Sequence, residues 1–206
     1  MREIFDNVYQ EGGALFTKTA LPRAKDVYEP WDPKKSKLAA MIAEGPEHFP
    51  LNRRSHVLYL GAGAGSTARR VAIMCTEGVV YCVEPFPTPF QRLLSVCERH
   101  ENMVPVMADA RSPERYIFIA PVDCIYQDIA QPDQARIFLL NWKVFEPGRG
   151  VLMVKARCID AAREPQRVFD DVKTALEGNG LDVLESIPLP HYRGHEAIVV
   201  RKAQGR

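Results

Sequence analysis

An α/β fold with a mostly parallel sheet is the class this sequence predicts, and three observations carry the prediction. From about Val57 onward, short apolar runs alternate with stretches whose apolar residues recur at helical spacing. Turn residues punctuate the boundaries between them. A glycine-rich turn, Gly61-Ala62-Gly63-Ala64-Gly65, joins the first apolar run to the first helical stretch. Strands that alternate with helices are buried on both faces of a parallel sheet.

The elements follow in order. His56 to Leu60 reads as a buried strand, and a helix starts at about Ser66. Val79 to Val83 is the next strand, ending at Glu84. Between about Thr88 and His100, Phe90, Leu93, Leu94 and Cys97 have the spacing of one helical face. Met103 to Met107 and Val122 to Tyr126 are two further strands. A helix carrying Ile137, Leu140 and Val144 precedes the strand Val151 to Val154. The helix from Pro165 to Leu176 stops at Gly178-Asn179-Gly180, a termination signal. Leu181 to Ile187 and Ala197 to Arg201 close the sheet as a strand pair, giving seven strands with helices on both faces.

Residues 1–50 differ from the rest. Ile4 to Tyr9, Ala14 to Thr19 and Val27 to Trp31 are β-like pieces, separated by Gly12-Gly13 and by Pro22, and they predict a small antiparallel appendage. Asp32 is placed to cap a helix starting at Pro33, with Leu38, Met41 and Ile42 on one apolar face. The expected division is therefore an appendage and first helix over 1–50, then the main α/β domain over 51–206.

Composition excludes several classes. With 206 residues, 46% hydrophobic and 26% charged, the chain suits a soluble globular protein that needs no metal or disulfide to fold. Lys and Arg total 27 against 26 Asp and Glu, so any attraction to nucleic acid must come from a local basic face. Five cysteines without CxxC spacing fit a reducing compartment and core positions. The opening MREIFDNVYQ lacks the apolar centre of a signal peptide. A soluble, cytoplasmic protein is expected.

The turn at Gly61 to Gly65 lets backbone approach a ligand, and the following helix N-terminus favours polar or anionic groups. Two cofactor classes use such a turn. A dinucleotide site wants GxGxxG, and Ser66 stands where its third small residue belongs. The GxGxG pattern is closer to an S-adenosylmethionine turn. Glu84, Asp109 and Asp128 each lie at or just beyond a strand's carboxyl end, where parallel sheets form their ligand crevice. From there Glu84 would bind ribose hydroxyls and Asp109 an adenine amino group. Each of the three also has a plain reading as a turn or capping residue.

Longer stretches now become specific. Leu58 to Ala62, Val80 to Glu84, Asp109-Ala110-Arg111, Asp128-Ile129-Ala130-Gln131-Pro132-Asp133-Gln134 and Lys155 to Asp160 resemble fibrillarin. Trp31-Asp32-Pro33 and Ser36 to Ala40 look like that family's segment before the first core strand. The likeness covers about residues 4 to 202, and the archaeal form is the nearer because no Gly/Arg-rich tail precedes it.

The resemblance implies a Rossmann-like class I methyltransferase fold and an S-adenosylmethionine-dependent RNA ribose 2′-O-methyltransferase acting on rRNA and tRNA. It implies assembly with guide RNA, target RNA, a Nop-family scaffold protein and a kink-turn-binding protein in a box C/D particle. The family's catalytic set falls on Lys37, Asp128, Lys155 and His195. Its cofactor contacts fall on Gly61, Ala62, Gly63, Ser66, Thr67, Glu84, Pro85, Asp109, Ala110, Asp128, Ile129, Ala130 and Gln131. Three departures stand out. Ser66 replaces the first of two threonines, Pro85-Phe86 replaces an aromatic after Glu84, and Gly194 replaces an acidic residue before His195.

Chemistry gives these residues distinct tasks. Lys155 ends an apolar strand, where burial and neighbouring positive charge would lower its pKa and suit it to take the 2′-hydroxyl proton. Asp128 would orient that amine, Lys37 would grip phosphate or ribose, and His195 would relay a proton or fix a lysine. The competing plain readings are a structural ion pair for Lys155 and Asp128, a solvated lysine for Lys37, and a strand histidine for His195. His48, His56, His100 and His191 show no metal-ligand spacing. Three other functions remain open: methylation of a protein side chain, methylation of a small molecule, and a non-catalytic ribonucleoprotein subunit.

Overall fold

The computed structural model describes residues 1–19, 26–119 and 121–204, and Pro22 lies outside them. The chain opens with strands β1 (Arg2–Phe5), β2 (Val8–Glu11), β3 (Ala14–Thr19) and β4 (Val27–Pro30), which form a four-stranded antiparallel sheet in chain order. Helix α1 (Lys37–Ala43) follows, then β5 (Val57–Leu60), α2 (Ser66–Met74), β6 (Val80–Val83), α3 (Pro87–Cys97) and β7 (Met103–Val106). A 3₁₀ turn at Pro113–Tyr116 leads to β8 (Cys124–Gln127), α4 (Gln134–Phe145), β9 (Arg149–Lys155) and α5 (Ala156–Ile159). The chain ends with α6 (Pro165–Glu177), β10 (Leu181–Pro188) and β11 (His195–Lys202).

The main sheet has seven strands in the order β10-β11-β9-β8-β5-β6-β7. All pairings from β9 to β7 are parallel, and β11 runs antiparallel to both neighbours. Strand β5 shows why the sheet is buried on both sides. Val57 and Tyr59 point into a core shared with α1, α2 and the N-terminal sheet. Leu58 and Leu60 point into a second core with α4 and α6. Because chain order reverses on either side of β5, the loops after β5 and β8 face each other at the carboxyl ends, where such folds open a crevice.

The N-terminal sheet is tied to α2 by buried polar contacts. Arg70, 8% exposed, reaches the Thr17 hydroxyl, the Pro30 carbonyl at 3.1 Å and the Glu29 carboxylate at 3.3 Å. Arg69 adds a two-pronged pair to Glu29 at 2.6 and 3.1 Å, and that bond holds the Glu29 carboxyl below its ordinary pKa.

Four sequence expectations need correction. The piece Ile4 to Tyr9 is two strands, because Asn7 adopts a left-handed conformation (φ 57°) and turns the chain. Asp32 does not start a helix at Pro33. It accepts the Lys34 N–H in a local turn, and Ser36 caps α1 by accepting the Ala39 N–H. The buried stripe of α4 runs through Ile137, Phe138, Asn141 and Trp142, while Leu140 is half-buried and Val144 exposed. Cys158 is likewise exposed on α5, whereas Cys75, Cys82 and Cys124 are buried. Among the described residues, no helix is long and apolar enough to cross a membrane.

Candidate active site

The carboxyl ends of the parallel strands enclose a cleft of about 370 Å³, lined by the turns after β5, β6, β7 and β8 and by Lys155 at the end of β9. Its floor depends on Gly61, which has φ +81°. A Cβ there would sit 2.8 Å from Ile129 Cγ1 and 3.1 Å from the Asp128 carbonyl, so glycine alone lets the two turns close up. A Cβ on Gly63 would meet nothing within 4 Å, because that residue faces open space.

Glu84 is 5% exposed and fixes this wall. Its carboxylate accepts the Gly63 N–H at 2.9 Å and the Phe86 N–H at 3.0 Å, tying the glycine turn to the start of α3. Each oxygen keeps a free lone pair for a hydroxyl in the cleft. On the opposite wall, Asp109 accepts the Arg111 N–H at 2.9 Å, and the Ala110 carbonyl is held by Asn141 at 2.8 Å.

Several expected cofactor residues line the cleft: Gly61, Gly63, Glu84, Pro85, Asp109, Ala110, Asp128, Ile129, Ala130 and Gln131. Three do not. Ala62 is buried beneath the turn, Ser66 is exposed at the start of α2, and the Thr67 hydroxyl lies 3.3 Å from Ser36 Oγ. Phe86 and Arg111 also line the cleft; Phe86 follows Pro85 where the family carries its aromatic, whereas Arg111 was not expected as a contact. Phe86 is 60% exposed and adds an aromatic face next to Pro85. Arg111 holds Asp133 with two bonds of 2.7 and 2.9 Å and reaches Gln131 at 3.2 Å, bridging the β7 and β8 loops. Nothing in the sequence marked Arg111 for this bridge beyond its place in the Asp109-Ala110-Arg111 stretch.

Asp128 lies between two lysines at the cleft mouth. Lys155 Nζ is 2.8 Å from its Oδ1, an ion-pair contact without hydrogen-bond alignment, and donates to the Asp128 carbonyl at 3.1 Å. Lys37 Nζ, from the first residue of α1, lies 3.2 Å from both carboxylate oxygens and 5.2 Å above the Tyr192 ring. Side chains of all three are under one-fifth exposed (17%, 16% and 9% for Lys37, Asp128 and Lys155).

His195 begins β11 directly opposite Lys155 in the antiparallel register, which places the two side chains as cross-strand neighbours. Its ring packs edge-on to Tyr192. Nδ1 lies 3.2 Å from the Arg193 carbonyl, which can only accept, so Nδ1 carries the proton and Nε2 is the free acceptor. Burial lowers the His195 pKa, and Lys37 and Lys155 push the same way; the Arg193 bond opposes them.

That shift has a testable sign. A histidine whose folded pKa is depressed binds fewer protons folded than unfolded below about pH 6.5, so stability is full above that pH and lost as pH falls. His100, lowered by burial and by Arg69 and Arg99, acts in the same direction. Proton titration by NMR should give His195 a midpoint below the ordinary 6.5. His195→Gln should flatten part of the acid-side decline in denaturation midpoint. A midpoint at or above the ordinary value would contradict the neutral-ring assignment.

The arrangement fits an S-adenosylmethionine-sized ligand. It offers a glycine turn with open space over Gly63, a carboxylate with spare acceptor capacity, an apolar wall of Val83, Phe86, Ile129 and Ile137, and a carboxylate flanked by amines at the mouth.

Several known proteins are similar to this chain in sequence and fold. The family model described as Fibrillarin matches residues 4–205. A "Fibrillarin-like rRNA/tRNA 2′-O-methyltransferase" of Methanopyrus kandleri is 48% identical over 177 residues, spanning 84% of this chain and 76% of that protein. The solved fibrillarin/Nop5p complex superposes with a TM-score of 0.90 at 37% identity, covering 98% of this chain and 100% of the other. An Aeropyrum pernix fibrillarin with natively bound S-adenosyl-L-methionine gives a TM-score of 0.81 at 31% identity, covering 91% and 88%.

Proposed function

This chain belongs to the fibrillarin family, and from that premise we infer that it transfers methyl groups from S-adenosylmethionine to ribose 2′-hydroxyls of rRNA and tRNA. The observation that carries the reading is the Asp128 carboxylate held between Lys37 and Lys155 at the mouth of a cleft built from the glycine turn, Glu84 and Asp109.

S-adenosylmethionine, when bound, supplies a methyl group already activated on a sulfonium, so the protein's tasks are alignment and proton removal. We assign cofactor binding to the glycine turn, Glu84, Pro85, Asp109, Ala110 and the Asp128–Gln131 loop, with Phe86 packing on the flat base. Lys155, charged in the resting site, acts once it has released its own proton to solvent; its neutral amine then takes the 2′-hydroxyl proton as the new oxygen–carbon bond forms and the methyl–sulfur bond breaks. Asp128 fixes the Lys155 amine in place. Lys37 grips the ribose or phosphate beside the target. Neutral His195 accepts at Nε2 and passes the proton toward solvent. Two lysines, one carboxylate and a neutral histidine leave the mouth with one net positive charge (+2 − 1 = +1), which suits an RNA strand.

A Nop-family protein is the partner. We propose that guide RNA, target RNA and a kink-turn-binding protein complete the particle, since a chain of net charge +1 has little phosphate affinity of its own. A cytoplasmic location goes with this reading, supported by five unpaired cysteines.

The cofactor assignment is tested by Glu84→Ala. Calorimetry should show S-adenosylmethionine binding weakened by about 1.5–3 kcal/mol, the scale of a bond to a charged group. NAD binding should be absent in both proteins. An unchanged dissociation constant for S-adenosylmethionine would place the cofactor elsewhere.

A further inference from the structure

We propose that Gln134 is a positioning residue for the methyl-transfer step, acting through the backbone of Lys155; this rests on the assignment of Lys155 as the base. Gln134 is fully buried at the first position of α4 and does not itself line the cleft; among the cleft's residues it bonds Lys155. Its side-chain amide faces the Lys155 peptide from both directions. Oε1 accepts the Lys155 N–H at 3.0 Å, and Nε2 donates to the Lys155 carbonyl at 3.4 Å.

The sheet explains why such a brace is needed. The parallel ladder between β8 and β9 ends at Gln127 opposite Leu152, so Lys155 projects past its strand partner on that side. A buried N–H without an acceptor would be costly there. The Gln134 amide supplies the missing donor and acceptor, replacing the strand that has turned away.

Gln134 is itself anchored. Gln127, also fully buried, donates from Nε2 to the Gln134 carbonyl at 2.9 Å. The segment from Gln127 to Gln134 thus forms a closed loop whose other member, Asp128, meets the Lys155 amine. One end of the loop holds the Lys155 backbone and the other receives its side chain. Displacing the strand end would move Nζ relative to Asp128 without touching the walls that hold the cofactor.

The test uses the reconstituted particle for methyl transfer and the purified chain for binding and amide exchange. Gln134→Met keeps the side-chain length and removes both bonds. It should lower the single-turnover rate by about 10–100-fold, the weight of an outer partner that orients a reacting group. S-adenosylmethionine affinity should stay within about three-fold, and the Lys155 amide should exchange faster with solvent. In a Lys155→Ala background the same substitution should cost less than about two-fold, because a residue acting only through Lys155 has nothing left to position.

Gln134→Glu keeps the acceptor for the Lys155 N–H and should fall between wild type and Gln134→Met. It carries the same comparison if the methionine variant does not fold. Equal losses with and without Lys155, or affinity falling in step with rate, would overturn the proposal. A Gln134→Met enzyme of normal rate beside an impaired Lys155→Ala enzyme would sink this inference alone. Normal rate in Lys155→Ala would sink the base assignment, and the positioning role with it.

Discussion

Methyl transfer by the Lys155→Ala protein in a reconstituted particle is expected to fall by about 10²–10⁴-fold, the usual weight of a general base. Cofactor affinity is expected to hold within about three-fold. The split follows from where the amine is spent. Nζ is engaged with the Asp128 carbonyl at 3.1 Å and its carboxylate at 2.8 Å, and the side chain is only 9% exposed. Its positive charge sits in the cleft that receives a cationic sulfonium, so truncation removes a repulsion and does not weaken binding. Lys155→Met, which fills the same space, separates loss of the amine from loss of packing and should be equally slow. Retention of near-normal turnover in both variants would show that another group takes the proton.

The sheet was legible in the sequence because its strands are buried on both faces, and such strands read as continuous apolar runs. Val57 to Leu60 and Val151 to Val154 are examples, and the glycine turn marks a junction that has to lie close to a neighbouring loop. What failed were features set by contacts distant in sequence. Asp32-Pro33 has the local chemistry of a helix start, yet Ser36 wins, since starting at Lys37 lets Leu38, Ala39, Met41 and Ile42 enter the core together. On α4 the buried stripe includes Gln134 and Asn141, polar residues that no hydrophobic pattern selects. Both are buried because each satisfies backbone groups of another loop, Asn141 at Ala110 and Gln134 at Lys155.

The site divides in the same way. Glu84, Asp109 and Asp128 were visible as carboxylates at successive strand ends. Tyr192, whose ring lies under the Lys37 amine, and Arg111, which spans two loops, carry no local pattern. They become recognisable only when β11 and the loops after β7 and β8 are brought to one end of the sheet.

Asp128→Ala is expected to affect both turnover and binding, in contrast to Lys155→Ala. The carboxylate is the counter-charge for two amines, at 2.8 Å from Lys155 and 3.2 Å from Lys37. A bond to a charged partner is worth about 1.5–3 kcal/mol, and removing this one group unpairs two such partners at once. Turnover should drop about 10²–10³-fold as both amines lose their fixed positions. Cofactor affinity should also weaken, by about ten-fold, because the only carboxylate in this cluster no longer offsets the lysines facing a sulfonium. Asp128→Asn distinguishes position from charge. It retains the size of the side chain and one oxygen that accepts from an amine, both lost in Asp128→Ala, so turnover should recover partly while affinity stays weak. Adding Lys37→Met to Asp128→Asn removes one of the two uncompensated cations and should restore affinity toward wild type. Recovery of turnover without that restoration would mean that Asp128 acts on the cofactor by contact and not by charge. Wild-type affinity in Asp128→Ala would mean that its carboxylate serves only the lysines.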